Sequence, residues 1–389
     1  MKNKRALRFD PVFVVWGVLC IVLVFFAYTA VMKLVSVLPK ETTEQKFTAS
    51  VKRQGAWFVR NQKPEGNFVY EQISATGQET DTNNIVRQAG ALYGLGHVYR
   101  LSGDPSVLET FEQGLEYFKS LTSTPSAETA AITLEGATFT NTVALVVLGL
   151  SEYMDADEHF RTTDNLEYLV RLSNYLVSTQ TSEGAYINSY DPEPSESDYN
   201  NGETMYALMR SYNLTQKEAY LSSAKRMGDY AIEHYGKNKE LNKQFFSWSM
   251  AGFAYLYKTV PDERYWDYMK LTTDKYYQSL GNMYEGYLHD SKHYAPIQPG
   301  SSVFLEGIGH IGWIAKEKDP ALYKKLRQHA KRVLENLLAY EINSPYGKYK
   351  SDDSRVSGGI CSKDTCETTR IDFLQHNLSA MYFYLRFFK

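Results

Sequence analysis

A hinge that recurs along the chain limits its fold more than any other feature. Tyr99 is followed five residues later by Asp104, then by Val107 and Leu108. Tyr257 leads at the same offsets to Asp262, Tyr265 and Trp266, Tyr212 to Lys217, Tyr220 and Leu221, and Ile314 to Asp319, Leu322 and Tyr323. Tyr153 fits the series loosely. Asp104-Pro105 and Asp319-Pro320 are helix starts, a carboxylate at the N-cap and then proline at the first helical position. The hinges recur about every 54 residues, so six units need roughly 325 residues where about 345 are available after residue 45. A second repeat runs with the first: WFVRNQKPEGNF (57–68) aligns with YLVSTQTSEGAY (175–186).

The segments between hinges are of two kinds. One is amphipathic: in 319–340, Leu322, Leu326, Ala330, Val333, Leu334 and Leu337 form a stripe, with Lys and Arg on the other face. The other kind has no polar face, as in VALVVLGL (143–150) and SVFLEGIGHIGWIA (302–315), and such a helix must be buried all round. The two alternate as outer and inner helices would. The spacing predicts outer helices near 46–62, 105–122, 162–179, 216–235, 262–280 and 319–342. Inner helices are predicted near 83–101, 139–154, 199–213, 244–258, 300–317 and 371–388. No strand-length alternation is strong enough to build a sheet. This all-α pattern resembles the (α/α)6 toroid of the six-hairpin glycosidases and of the N-acylglucosamine 2-epimerase type, over essentially all of 45–389.

Ahead of that domain, the run between Asp10 and Lys33 is uncharged for 22 residues. As a helix it reaches about 33 Å, enough for the hydrocarbon core of a bilayer. A cleaved signal peptide would have a shorter apolar region and a small-residue cleavage site. The reading is therefore a basic cytoplasmic tail (1–10), a transmembrane signal anchor (11–35), a linker (36–44) and a glycan-active domain (45–389). Lys2, Lys4, Arg5 and Arg8 before the span put the N-terminus in the cytoplasm and the domain outside, periplasmic or at the cell surface. There Cys361 and Cys366 either pair or stay free, which sequence alone does not decide. With 42 basic and 45 acidic side chains, a nucleic-acid partner is not expected. The 31 tyrosines suit a wet, aromatic-lined cleft as well as a large helical core.

Loop lengths locate the working face. The inner-to-outer turns are short, whereas the outer-to-inner connections at 63–82, 124–138, 180–198, 281–299 and 343–370 are long, and all lie where inner helices begin. In the families that the chain resembles, the sugar-binding funnel lies at that end. The first turns of the inner helices carry a ring of polar groups over an apolar barrel: Asn84 and Arg87; Asn141; Asn200 and Glu203; Trp248; Glu306, with His310 a turn deeper; Arg370, Asp372 and His376. Glycosidic cleavage generally needs one carboxyl to protonate the leaving oxygen and another to activate water or attack. Glu203 is read as the acid and Asp372 as the base, with Glu306 and His376 beside them and the other ring residues binding substrate. Each also has a plain structural reading, as helix cap, ion pair or satisfied core residue. Tyr70, Tyr186 and Tyr199 are further platforms for a sugar ring.

The leading expectation is a membrane-anchored glycoside hydrolase acting on an oligo- or polysaccharide, with no cofactor. His289, Asp290 and His293 make a poor metal set, and no H-E-x-x-H, phosphate loop or G-x-S-x-G is present. Two rivals stay open. QPGSSVFLEGIGH and RIDFLQHNLSA loosely resemble the epimerase pattern, which implies proton transfer by His310 and His376; a lyase would instead set Arg, Asn, His and Tyr around a uronate. The other rival is a non-catalytic glycan-binding protein of a polysaccharide-biosynthesis machinery.

Overall fold

The structure is a computed structural model, and it describes Trp16 and residues 19–29, 41–189, 195–280 and 298–389. The chain divides into two units, Met1–Thr42 and Thr43–Lys389. In the first, residues 19–29 are helical and their large apolar side chains, among them Leu23, Phe25 and Phe26, are exposed. Among the described residues no helix is long and apolar enough to cross a membrane. Most of the 11–35 span and all of the 1–10 tail lie outside the described residues, as do His289, Asp290 and His293.

Among its described residues, the second unit holds twelve long helices in six hairpins. The outer helices are α1 (Thr43–Arg60), α3 (Pro105–Ser120), α5 (Thr163–Ser178), α7 (Glu218–His234), α9 (Glu263–Leu280) and α11 (Pro320–Leu337). The inner helices are α2 (Ile85–Ser102), α4 (Thr140–Ala156), α6 (Asp198–Thr215), α8 (Lys243–Thr259), α10 (Ser302–Lys318) and α12 (Ile371–Phe387). Each inner helix packs on the next and α12 packs back on α2, so the inner ring is closed. The burial follows the two sequence patterns. In α4 every residue from Thr142 to Met154 is buried, whereas in α11 only the stripe through Leu326, Ala330, Val333, Leu334 and Leu337, with His329, is buried. Each fully buried aliphatic side chain contributes about 1.5–3 kcal/mol relative to exposure, which makes the shared core the main source of stability.

The hinges close as capping chemistry requires. Asp104 Oδ1 accepts from Ser106 N and Asp319 Oδ1 from Leu322 N, each followed by proline. The second repeat is also structural. Gln62 Nε2 donates to Gly66 O and Thr110 O, and Gln180 Nε2 donates to Gly184 O and Ser223 O, at matching places in the two hairpins. Gly66 (φ 98°) and Gly184 (φ 110°) are left-handed, and a Cβ at either would strike the backbone carbonyl of the next outer helix.

The connections at the N-terminal ends of the inner helices hold the only strands among the described residues, where the sequence offered no sheet. They are short because their pairing is local to the loops. β2 (Thr122–Ser126), β3 (Thr129–Leu134) and β4 (Ala137–Thr138) form one antiparallel sheet, and β5 (Ile187–Ser189) pairs with β6 (Ser195–Glu196). β1 (Glu71–Ile73) pairs antiparallel with β7 (Thr368–Arg370), in register Glu71 to Arg370, and so joins the first long loop to the last. In that last loop Cys361 and Cys366 form a disulfide, with Cα atoms 4.7 Å apart.

Candidate active site

The inner helices all begin at the end that bears the long loops. Their first turns bring together Arg87 of α2, Glu203 of α6, Trp248 of α8, Glu306 of α10, and Asp372 and His376 of α12, with Arg370 at the N-cap of α12. Arg370 donates to both oxygens of Asp372, each bond 2.7 Å long. Arg87 Nε lies 3.7 Å from Asp372 Oδ2. His376 Nδ1 and Glu306 Oε1 are 2.6 Å apart, and the His376 ring sits 6.0 Å from that of Trp248. Tyr93 packs under Trp248 at 5.7 Å and forms the floor with Tyr206, hydroxyl to hydroxyl at 3.4 Å.

Three carboxyls in this small volume have three different environments. Burial pushes the Glu203 carboxyl well above the usual carboxylate range; Arg87 opposes the shift and nearby Glu306 adds to it. Glu203 is 5% exposed, makes no hydrogen bond with a described residue, and its Oε2 is sealed from solvent without a partner. A buried polar group with no partner is rare in a native protein and costly to keep. Burial also raises Glu306, against the pull of His376 and Gln375. Asp372 goes the other way: its burial is outweighed by the Arg370 fork, with His376 and Arg87 assisting, and its carboxyl is held low. One acid kept neutral and one kept ionised is the division of labour that acid/base chemistry needs.

Gly202 explains how Glu203 reaches its place. A Cβ there would lie 2.9 Å from Ser249 N and 3.0 Å from Trp248 Cβ, so only glycine lets α6 press against α8. The close approach sets Glu203 beside the Trp248 turn.

Four of the residues expected to be functional are structural. Asn84 is the N-cap of α2, its Oδ1 accepting from Arg87 N. Asn200 is fully buried, donates to Tyr186 O and accepts from Thr204, so it anchors the loop rather than facing the funnel. Tyr186 is fully buried with its hydroxyl on Ser223 and offers no platform. His310 lies below the rim against Phe383 and Tyr206; its Nδ1 is held by Glu306 O, and burial lowers its pKa to about 3. A neutral histidine sunk in the core cannot share a proton with a substrate at the rim. Asn141 stays at the start of α4 with its Oδ1 buried and unpartnered. Tyr199, 40% exposed, and Tyr70, half-buried, stand at the rim.

Sequence reasoning missed what lies beneath. Gln375 Nε2 reaches Glu306 (3.5 Å) and Ser379 (3.2 Å), and Ser379 meets His97 Nδ1 at 3.0 Å. Below His97 the bore is charged: Glu152 takes Arg100 at 2.7 Å and pairs with Arg210, which also donates to Asp155 at 2.6 Å. The available signal was Glu152 and Arg210 at equal depth in two inner helices, each a lone charge in an apolar run.

No known family profile matches the sequence, and no characterised protein matches it either. Solved structures do. A D-mannose isomerase aligns with a TM-score of 0.62 at 16% identity, over 87% of this chain and 97% of that one. An inactive variant of an α-1,6-mannanase of Salegentibacter sp., in complex with α-1,6-mannotriose, gives 0.63 at 9% identity, over 88% and 99%. An unsaturated glucuronyl hydrolase specific for heparin gives 0.61 at 11%, over 88% and 98%. What these likenesses establish is the fold: the second unit is an (α/α)6 toroid.

Proposed function

We propose that the chain is a membrane-anchored, extracytoplasmic carbohydrate-active enzyme, and that it hydrolyses glycosidic bonds of an envelope or extracellular polysaccharide. The observation that carries this reading is Glu203, a buried carboxyl of the inner-helix rim with no hydrogen-bond partner among the described residues. Held neutral by burial, it suits the acid that protonates a leaving oxygen. Asp372 stays ionised, but both its oxygens are engaged by Arg370, so it suits stabilisation of developing positive charge better than proton capture. The base role expected for it passes to His376: Glu306 fixes its Nδ1, and its Nε2 has no partner among the described residues. The uncharged run before Lys33 supports the anchor, and the Cys361–Cys366 disulfide supports an oxidising compartment. The mannanase and the glucuronyl hydrolase that share the fold add weight to hydrolysis.

A second reading, sugar isomerase or epimerase, is favoured by the Glu306–His376 pair, which would serve equally to move a proton on a sugar carbon. The full chain in detergent, offered charged and neutral polysaccharides, decides between them by mass spectrometry: hydrolysis yields fragments that have gained water, isomerisation products of unchanged mass. Glu203→Gln should lower turnover by about 10²–10⁴-fold in the hydrolase. Full activity in that variant removes the acid assignment.

A further inference from the structure

Arg87 keeps spare donors among the described residues. Asp372, its nearest carboxylate, is already matched by Arg370 through two short bonds, and Arg87 stands back at 3.7 Å. Its one side-chain hydrogen bond to a described residue is a long one, 3.4 Å to Asn84 Oδ1. The side chain is 43% exposed at the rim. Glu71, in register with Arg370 across the β1–β7 ribbon and within its electrostatic reach, balances the charges of this group, so what Arg87 offers is unmatched donors rather than net charge. Glu203, also in electrostatic reach of Arg87, is sealed beneath and makes no hydrogen bond to the guanidinium. Tyr70 and Tyr199 both lie within electrostatic reach of Arg87.

We infer that this part of the rim is a subsite for an acidic sugar, its anionic group held by the Arg87 fork and its ring lying against Tyr199 or Tyr70. The inference rests on the glycan reading above and narrows it to a substrate class. A guanidinium binds a carboxylate, sulfate or phosphate through two parallel N–H donors, whereas a neutral sugar leaves those donors unmatched.

The test is binding of the full chain, in detergent, to oligosaccharides of galacturonate, glucuronate and mannuronate, each paired with its carboxyl-reduced counterpart. A sulfated, uronate-free galactan oligosaccharide is the separate arm that distinguishes sulfate from carboxylate. Expected is a preference of about ten- to a hundredfold for an acidic member over its neutral counterpart. Arg87→Ala should abolish that preference, and Arg87→Lys should restore only part of it. Neutral counterparts bound as tightly as every acidic member, or a preference that survives Arg87→Ala, would overturn this inference and leave the glycan reading standing. Binding of no member of any series would overturn both.

Discussion

Glu152 and Glu203 sit on adjacent helices of the same inner ring, both buried, yet they are opposites. Glu152 is enclosed by Arg210 and Arg100, with His97 Nε2 3.9 Å away. Burial alone would raise its carboxyl, but these partners hold it well below the usual range. Glu203 has the burial and not the partners, and is held neutral instead. The lower bore therefore uses its carboxylate for cohesion, while the rim keeps one in a state that costs stability. Burial does not decide what a buried acid does; the groups that meet it do.

Removing the lower acid should give the largest effect. Glu152→Ala leaves Arg210, 1% exposed, short of its main counter-charge, and should cost about 3–5 kcal/mol in denaturant unfolding. An unchanged midpoint would mean that Asp155 alone suffices. The pH dependence of stability sharpens the contrast. Glu203, raised in the folded protein, contributes fully below the ordinary glutamate range and loses that contribution as pH climbs through its folded value. Glu152, lowered, contributes above that range and loses it as pH falls toward its own folded value. Unfolding free energies of Glu203→Gln, measured against wild type, should thus improve relatively with rising pH, and those of Glu152→Gln with falling pH. Parallel curves for Glu203→Gln would show that folding does not shift its carboxyl. The smallest effect is expected from Gly202→Ala, where the added methyl must part α6 from α8: roughly 1–3 kcal/mol, with a loss of turnover that thermal unfolding alone would not explain.

The toroid was legible because its signals are local and repeated: Asp104 and Asp319 cap helices in the structure as their proline neighbours implied. The rim was legible as a place but only partly as a set of roles. Asn84 and Glu203 look alike in sequence, each polar in the first turn of an apolar helix. One spends its side chain on its own backbone and the other makes no hydrogen bond with a described residue. That difference depends on packing between helices that are distant in sequence. The same applies to β1 and β7, three-residue strands with no periodicity of their own.

The ribbon of β1 and β7 has a consequence for biosynthesis. It joins residues 297 positions apart, as in the Thr368 to Glu71 hydrogen bond, and it carries Arg370 into place above α12. A ring clasped by its two ends cannot close while the second end is still on the ribosome, and contacts so remote in sequence form slowly. His376 and Asp372 ride on the twelfth of these helices, so a polypeptide of five hairpins has neither, and the site gains its chemistry only once α12 has been made.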